Sequence, residues 1–216
     1  TCWVEHGFSF GNALEFDGAN DYVSISNMVL GKNSSWSLSF WYKSGTASTN
    51  YIMGNTGVQR LFYCTNTSLL FNDGVVQKSF GVTNFNDLTW KHVFLTSNSG
   101  SVSAYIDGTA SASNPVDFTT FTNDFTINSI GRNLAIYLNG TLDEMAYWNG
   151  VSGSLTDAQN LYNSGQGDFA NNVISSPNRY YKLNGTIGDS TTTDDGSDSA
   201  NGTLTNFNTS TCWATH

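Results

Sequence analysis

One stretch limits the possible folds of this chain more than any other: Ser35-Trp36-Ser37-Leu38-Ser39-Phe40-Trp41-Tyr42-Lys43. Trp36, Leu38, Phe40 and Tyr42 fall at every second position with serines between them until Trp41, which is the period of a strand with one face buried. Shorter runs of the same kind surround it. Leu14 and Phe16 alternate before an Asp17-Gly18 turn, and Tyr22, Val23 and Ile25 follow that turn. Ile52 to Tyr63 and Leu69 to Phe71 read as short strands, with Asn72-Asp73-Gly74 as a hairpin turn. Trp90 to Thr96 and Ser101 to Ile106 form a further hairpin about Asn98-Ser99-Gly100, and Asp107-Gly108 supplies the next turn. Short strands with turn signals roughly every ten residues predict an all-β sandwich or jelly roll of two antiparallel sheets.

Asn139 to Asn149 carries an acidic pair inside an otherwise apolar run. Asn139-Gly140 reads as a tight turn, because both residues tolerate positive φ. Strict alternation after it puts Leu142, Glu144, Ala146 and Trp148 on one face and Asp143, Met145 and Tyr147 on the other. The two carboxylates are therefore expected to point apart. One short helix is predicted over Leu155 to Asn163, with Ser154 and Asp157 as a capping box and Gly165 at the αL position after it. Arg179 to Gly185 and Ala200 to Phe207 read as strands flanking an acidic loop, and one domain over 1–216 is expected.

Charged residues are only 12% of the chain and the formal charge is −9. The eight Lys and Arg are scattered singly, which argues against a nucleic-acid partner. No apolar run reaches membrane-spanning length, so membrane insertion is not expected. The first residue is Thr1 rather than Met, which points to a leader or upstream segment outside the chain. Thr1-Cys2-Trp3 and Thr211-Cys212-Trp213 are matching tripeptides, so Cys2 and Cys212 can be a disulfide or two reduced thiols near the ends. Cys64 reads as a small buried hydrophobe.

In order along the chain, Ala13-Leu14-Glu15-Phe16-Asp17-Gly18, Trp36-Ser37-Leu38-Ser39-Phe40-Trp41, Trp90-Lys91-His92-Val93, Ala104-Tyr105-Ile106-Asp107-Gly108 and Gly140-Thr141-Leu142-Asp143-Glu144 resemble the laminin-G-like family. That resemblance implies a concanavalin A-like lectin/glucanase jelly roll over most of residues 13–165. Tyr180-Tyr181-Lys182-Leu183, Asp194-Asp195-Gly196 and Asn201-Gly202-Thr203-Leu204 look like strands that precede the Phe-Asp-Gly motif in many relatives. The order therefore looks circularly permuted, with 179–207 completing the same sandwich.

Glucanases share the fold, so catalysis is the first reading to weigh. Retaining glycosidases need two carboxylates about 5 Å apart. The chain has three Glu residues, Glu5, Glu15 and Glu144, and lacks the Glu-x-Asp-x-x-Glu pattern of the family's β-glucanases. His6, His92 and His216 make no metal-ligand spacing. The resemblance also implies one structural calcium ion, with Asp17, Asp21 and Asp143 as the candidate trio and Asp194, Asp195 and Asp198 as a second oxygen-rich loop. Trp41, Tyr63, Arg132 and Tyr137 are the candidate saccharide-binding residues, aromatic and guanidinium groups suited to an open face. The sequence reading is a non-catalytic binding or structural module, with glycans or other surface proteins as partners in a larger assembly. The Ser/Thr/Asn/Gly-rich style is similar to laminin-G-like domains of tailed-phage virion proteins, which implies a virion-surface or extracellular setting, as capsid decoration or host adhesin. The alternatives are a secreted carbohydrate-binding module and a glucanase-like hydrolase.

Overall fold

The computed structural model describes residues 11–46, 49–58, 61–186, 188–208 and 212–214; Cys2, Glu5, His6 and His216 lie outside them. The first strands are β1 (Ala13–Asp17), β2 (Tyr22–Leu30), β3 (Trp36–Lys43), β4 (Asn50–Gly54), β5 (Leu61–Cys64), β6 (Ser68–Asn72) and β7 (Gln77–Gly81). Then come β8 (Lys91–Asn98), β9 (Ser101–Ile106), β10 (Thr109–Ala110), β11 (Val116–Asp117), β12 (Phe125–Ile130), β13 (Arg132–Asn133), β14 (Ile136–Tyr137) and β15 (Asn139–Asn149). Helices α1 (Leu155–Tyr162) and α2 (Ala170–Val173) precede β16 (Arg179–Tyr181), β17 (Thr191–Thr192), β18 (Gly202–Thr205) and β19 (Trp213–Ala214).

Two antiparallel sheets result. The first runs β10-β9-β8-β3-β15-β1-β19, with β11 on β9 and β16 on β15; the second runs β17-β18-β2-β12-β4-β5-β6-β7. The 179–205 segment feeds both sheets, through β16 on β15 and β18 on β2. The end strands β1 and β19 pair directly, Ala13 with Ala214 and Leu14 with Trp213. Cys212 is buried beside them.

Between the sheets, alternation works as the sequence predicts. Trp36, Leu38, Phe40 and Tyr42 of β3 are fully buried against Phe62, Phe71, Phe118 and Phe125 from the opposite layer and its loops. Each such side chain contributes roughly 1.5–3 kcal/mol relative to an exposed one. The hairpin turns fall where expected: Ser99 and Gly100 have φ of 50° and 93°, and Asp107 and Gly108 of 51° and 69°. Ser154 caps α1 by accepting the Asp157 N–H, and its own N–H bonds the Asp157 carboxylate at 2.7 Å, completing the capping box. The left-handed residue ending α1 is Asn163 (φ 46°), ahead of Gly165, and the one-turn helix α2 is additional to the predicted one.

Two readings of β15 need correction. Asn139-Gly140 is no turn: both residues lie in β15, paired with Asp17 and Phe16. The glycine is required by packing, since a Cβ at Gly140 would sit 2.6 Å from the Lys43 carbonyl oxygen. The expected opposite orientation of Asp143 and Glu144 also fails. Asp143 pairs with Trp41 but Ala146 with Ser39, so β15 carries one extra residue there, and Glu144 takes the left-handed conformation (φ 48°). This bulge resets the alternation. Leu142 and Met145 both reach the inner core, whereas Asp143, Glu144 and Ala146 all face outward, toward α1, α2 and Tyr180.

Candidate functional site

The outer side of the first sheet is roofed. Phe94, Ala146, Trp148 and Tyr180 pack under Ala158 and Leu161 of α1 and Ala170 of α2, forming a second small core. Trp41, expected on an open surface, is only 2% exposed beneath this roof, with ring centroids 5.0 Å from His92 and 6.0 Å from Tyr162. It is a packing residue. His92 is buried too. Its Nε2 lies 2.9 Å from the Ser39 hydroxyl, its Nδ1 has no partner among the described residues, and burial pushes it down to about 3.

Asp143 and Glu144 are sealed under the same roof, 0% and 3% exposed. The Tyr180 hydroxyl donates to Glu144 Oε2, and the Glu144 N–H donates to Asp143 Oδ1 at 2.9 Å. Asp143 Oδ2 and Glu144 Oε1 have no hydrogen-bond partner among the described residues. Burial pushes Glu144 up to about 7, against the Tyr180 hydroxyl and the charge of Lys182. Burial and then the Glu144 charge hold Asp143 well above the carboxylate range. The pair shares a face and is closed off from the surface.

The other acidic candidates are committed to the chain's own donors. Asp17 Oδ1 accepts the Ala19 and Asn20 N–H groups, and Asp21 Oδ2 accepts the Asp17 N–H. Asp17 faces Asn139 across the β1–β15 ladder, four residues along β15 from Asp143, about 13 Å away. So Asp17, Asp21 and Asp143 are not brought into one site, and among the described residues no three His, Cys, Asp or Glu are placed to hold a metal ion. In the acidic loop, Asp194 accepts the Tyr180, Gly196 and Ala200 N–H groups. Arg179 bridges Asp194 and Asp198, and Lys182 pairs with Asp195.

Among the described residues no helix packs over the outer side of the second sheet, and the remaining candidates lie on this side. In β5, Phe62 and Cys64 enter the core, so Tyr63 between them points out. In β4, Ile52 and Met53 enter the core, and Tyr51 points out beside Tyr63 in cross-strand register. The two rings stack with centroids 5.3 Å apart and planes 20° from parallel. The Tyr63 hydroxyl donates to Gln77 Oε1 at 2.8 Å, and Asn72 Nδ2 donates to the same oxygen at 3.3 Å. Partial burial raises both phenols, and the neighbouring Tyr51 adds to the shift of Tyr63.

Arg132 continues the row. The β12–β4 ladder ends at Ile130–Met53; the chain turns at Gly131 (φ 77°), and the Arg132 carbonyl accepts from the Ser129 hydroxyl at 2.9 Å, beside Gly54. Its guanidinium carbon lies 4.4 Å from the Tyr22 ring centroid and 5.5 Å from that of Tyr137, and its Nε–H donates to the Leu134 carbonyl. The β13–β14 hairpin pins it there, through the Arg132–Tyr137 pair. From Tyr22 across β12 and β4 to Tyr63 is three strand spacings, about 14 Å. Outward Asn128 and Thr126 add polar groups, and Val58, Leu134 and Ile136 form an exposed apolar rim. Of the sequence candidates, Arg132 and Tyr137 are in contact, and Tyr63 lies on the same sheet with Tyr51 as its neighbour; Tyr22 and Tyr51 were not among the candidates. Period two within β2 marks Tyr22 as outward, but β4 breaks it at Ile52-Met53, and only the pairing with β5 sets Tyr51 beside Tyr63.

A cavity of about 480 Å³ lies elsewhere, at the β9–β10 edge, lined by Val82, Lys91, Ile106, Asp107 and Ser111 among others. It has no aromatic wall, and Lys91 is paired with Asp87.

Residues 17–159 match the sequence profile of Laminin_G_3, described as the concanavalin A-like lectin/glucanases superfamily. The chain belongs to this superfamily. No curated protein matches it by sequence. Among solved structures, this lectin/glucanase-like chain is similar to a candidate carbohydrate binding protein from Bacteroides ovatus (20% identity, TM-score 0.65, covering 90% of this chain and 58% of that one). It is also similar to a heptameric SAP-like pentraxin from Limulus polyphemus (11% identity, TM-score 0.54, covering 70% and 82%). A third is domain 4 of AbnA, an extracellular arabinanase from Geobacillus stearothermophilus, in complex with arabinotriose (18% identity, TM-score 0.52, covering 68% and 74%). At these identities the likeness establishes the jelly-roll fold. The chain spans 58% of the length of the Bacteroides ovatus protein.

Proposed function

We propose that this chain is a carbohydrate-binding module that holds a saccharide on the open face of the second sheet and does not cleave it. The observation that carries this reading is the stacked Tyr51–Tyr63 pair on a face without a helical cover. Sugar rings present C–H faces that lie on aromatic planes, while hydroxyls take hydrogen bonds from amide and phenol groups around them. Gln77, Asn72 and Asn128 provide those groups here. The candidate carbohydrate binding protein from Bacteroides ovatus and the arabinotriose-bound AbnA domain support it by fold. Against catalysis, Asp143 and Glu144 are closed off by the two helices and leave no accessible carboxylate pair on β15. The Ser/Thr/Asn/Gly-rich composition supports a setting outside the cell or on a virus particle, as part of a larger assembly.

The test is binding of the purified chain to an oligosaccharide array, followed by titration calorimetry on the retained sugars. Tyr63→Ala should weaken binding at least ten-fold and Tyr51→Ala comparably. Binding that survives the double substitution would remove this face from consideration. Release of reducing ends from a retained glycan would overturn the non-catalytic reading.

A further inference from the structure

We propose that the saccharide held on this face is anionic, and that Arg132 grips its carboxylate or sulfate with the two terminal nitrogens of the guanidinium. This rests on the saccharide-binding reading above and adds the charge of the ligand to it.

Arg132 differs from the other described arginine. Arg179 is buried and spends its charge on Asp194 and Asp198. Arg132 has no acidic partner among the described residues, although Asp and Glu outnumber Lys and Arg by 17 to 8 in the chain. Its contacts fix its position and leave its charge uncompensated. The Nε–H is held by the Leu134 carbonyl, and Tyr22 and Tyr137 flank the planar group. Both Nη groups keep their N–H donors unused by any described residue. Two parallel N–H donors on a rigid planar group match the paired oxygens of a carboxylate or sulfate. Holding that group still beforehand lowers the ordering cost of binding.

Position supports the same conclusion. The guanidinium lies over Tyr22 of β2, two strand spacings, about 10 Å, from β4 and its Tyr51, so an oligosaccharide laid along the row from Tyr63 brings a substituent to it. The row, about 14 Å long, suits an oligosaccharide rather than a single ring. A neutral glycan would leave the guanidinium with only weak hydroxyl acceptors.

A purely structural role, pinning the β13–β14 hairpin, predicts that substitution harms all ligands equally. The experiment therefore reads selectivity. The full chain is titrated with gluco-, galacto- and manno-configured oligosaccharides in matched sets: neutral, uronic acid, and sulfated. The expected result is at least ten-fold tighter binding of an anionic member than of its neutral counterpart. Arg132→Gln should lower anionic affinity more than neutral affinity and bring that ratio close to one, and Arg132→Lys, which keeps the charge but loses the fork, should fall between. The tighter of the carboxylated and sulfated arms names the anion. Equal binding of neutral and anionic sugars, or a preference that survives Arg132→Gln, overturns the charge inference alone. Binding of no member of any set overturns the saccharide reading with it.

Discussion

On the outer side of the first sheet, Trp148, Phe94 and Tyr180 lie under α1 and α2; on the outer side of the second, Tyr22, Tyr51 and Tyr63 are half-buried with no described helix over them. The difference shows in how the polar groups are treated. Under the roof, His92 Nδ1, Asp143 Oδ2 and Glu144 Oε1 are buried without partners among the described residues. Water cannot reach them, and a buried polar group without a partner costs about 1–3 kcal/mol. On the open face, the unused donors of Arg132 stay available to a ligand. The roofed face therefore serves stability, and bears a local penalty within it. The open face is the one on which recognition is proposed.

Substitution at Trp148 gives the largest expected effect. Its ring is fully buried and its Nε1–H bonds the Ile174 carbonyl at 3.1 Å. Trp148→Ala should cost about 3–5 kcal/mol in chemical denaturation. Tyr63→Ala should cost well under half of that, and a larger loss there would break the division of labour.

The next effect is on pH. Glu144 is pushed up to about 7 from 4.5, so between those values the folded chain holds a proton that the unfolded chain has released. Stability must then fall as pH rises through that window and level off above it, by about 3 kcal/mol for Glu144 alone. Asp143 acts in the same direction. Denaturation midpoints between pH 4 and 8 read this directly. Glu144→Gln should flatten the slope and raise stability at pH 8; an unchanged slope would show that Glu144 is not its source.

Tyr51→Ala is next, with binding reduced ten-fold or more, equivalent to about 1.4 kcal/mol, and the denaturation midpoint little moved. Ser154→Ala is smallest, about 1 kcal/mol through loss of the α1 cap. Hydrogen exchange should rise first in α1, and saccharide affinity should not change.

Much of the fold was legible because it is local. Alternation in β3, the turn at Ser99-Gly100 and the capping box of Ser154 and Asp157 each follow from a few neighbouring residues. The failures are non-local. The bulge at Glu144 carries no glycine, proline or asparagine to announce it, and it alone puts Asp143 and Glu144 on one face. Alternation correctly turns Trp41 outward, but whether an outward residue meets water depends on helices more than a hundred positions away. Asn139-Gly140 imitates a turn because the glycine answers a contact with Lys43 that only the folded chain contains. The proposed row was half-visible: Tyr63, Arg132 and Tyr137 were candidates by residue type, whereas Tyr22 and Tyr51 needed the strand order.

The pairing of β1 with β19 has a mechanical consequence. Ala13 lies opposite Ala214 in an antiparallel ladder at the edge of the first sheet, so the chain enters and leaves at the same point. A pull on both ends opens this ladder one rung at a time, starting at that pair, instead of loading all rungs in shear. Tethered through both ends, the domain should open at low force from that edge, while the tyrosine row, on the other sheet, is still intact. Single-molecule stretching would register this as an early, small step before the main unfolding event.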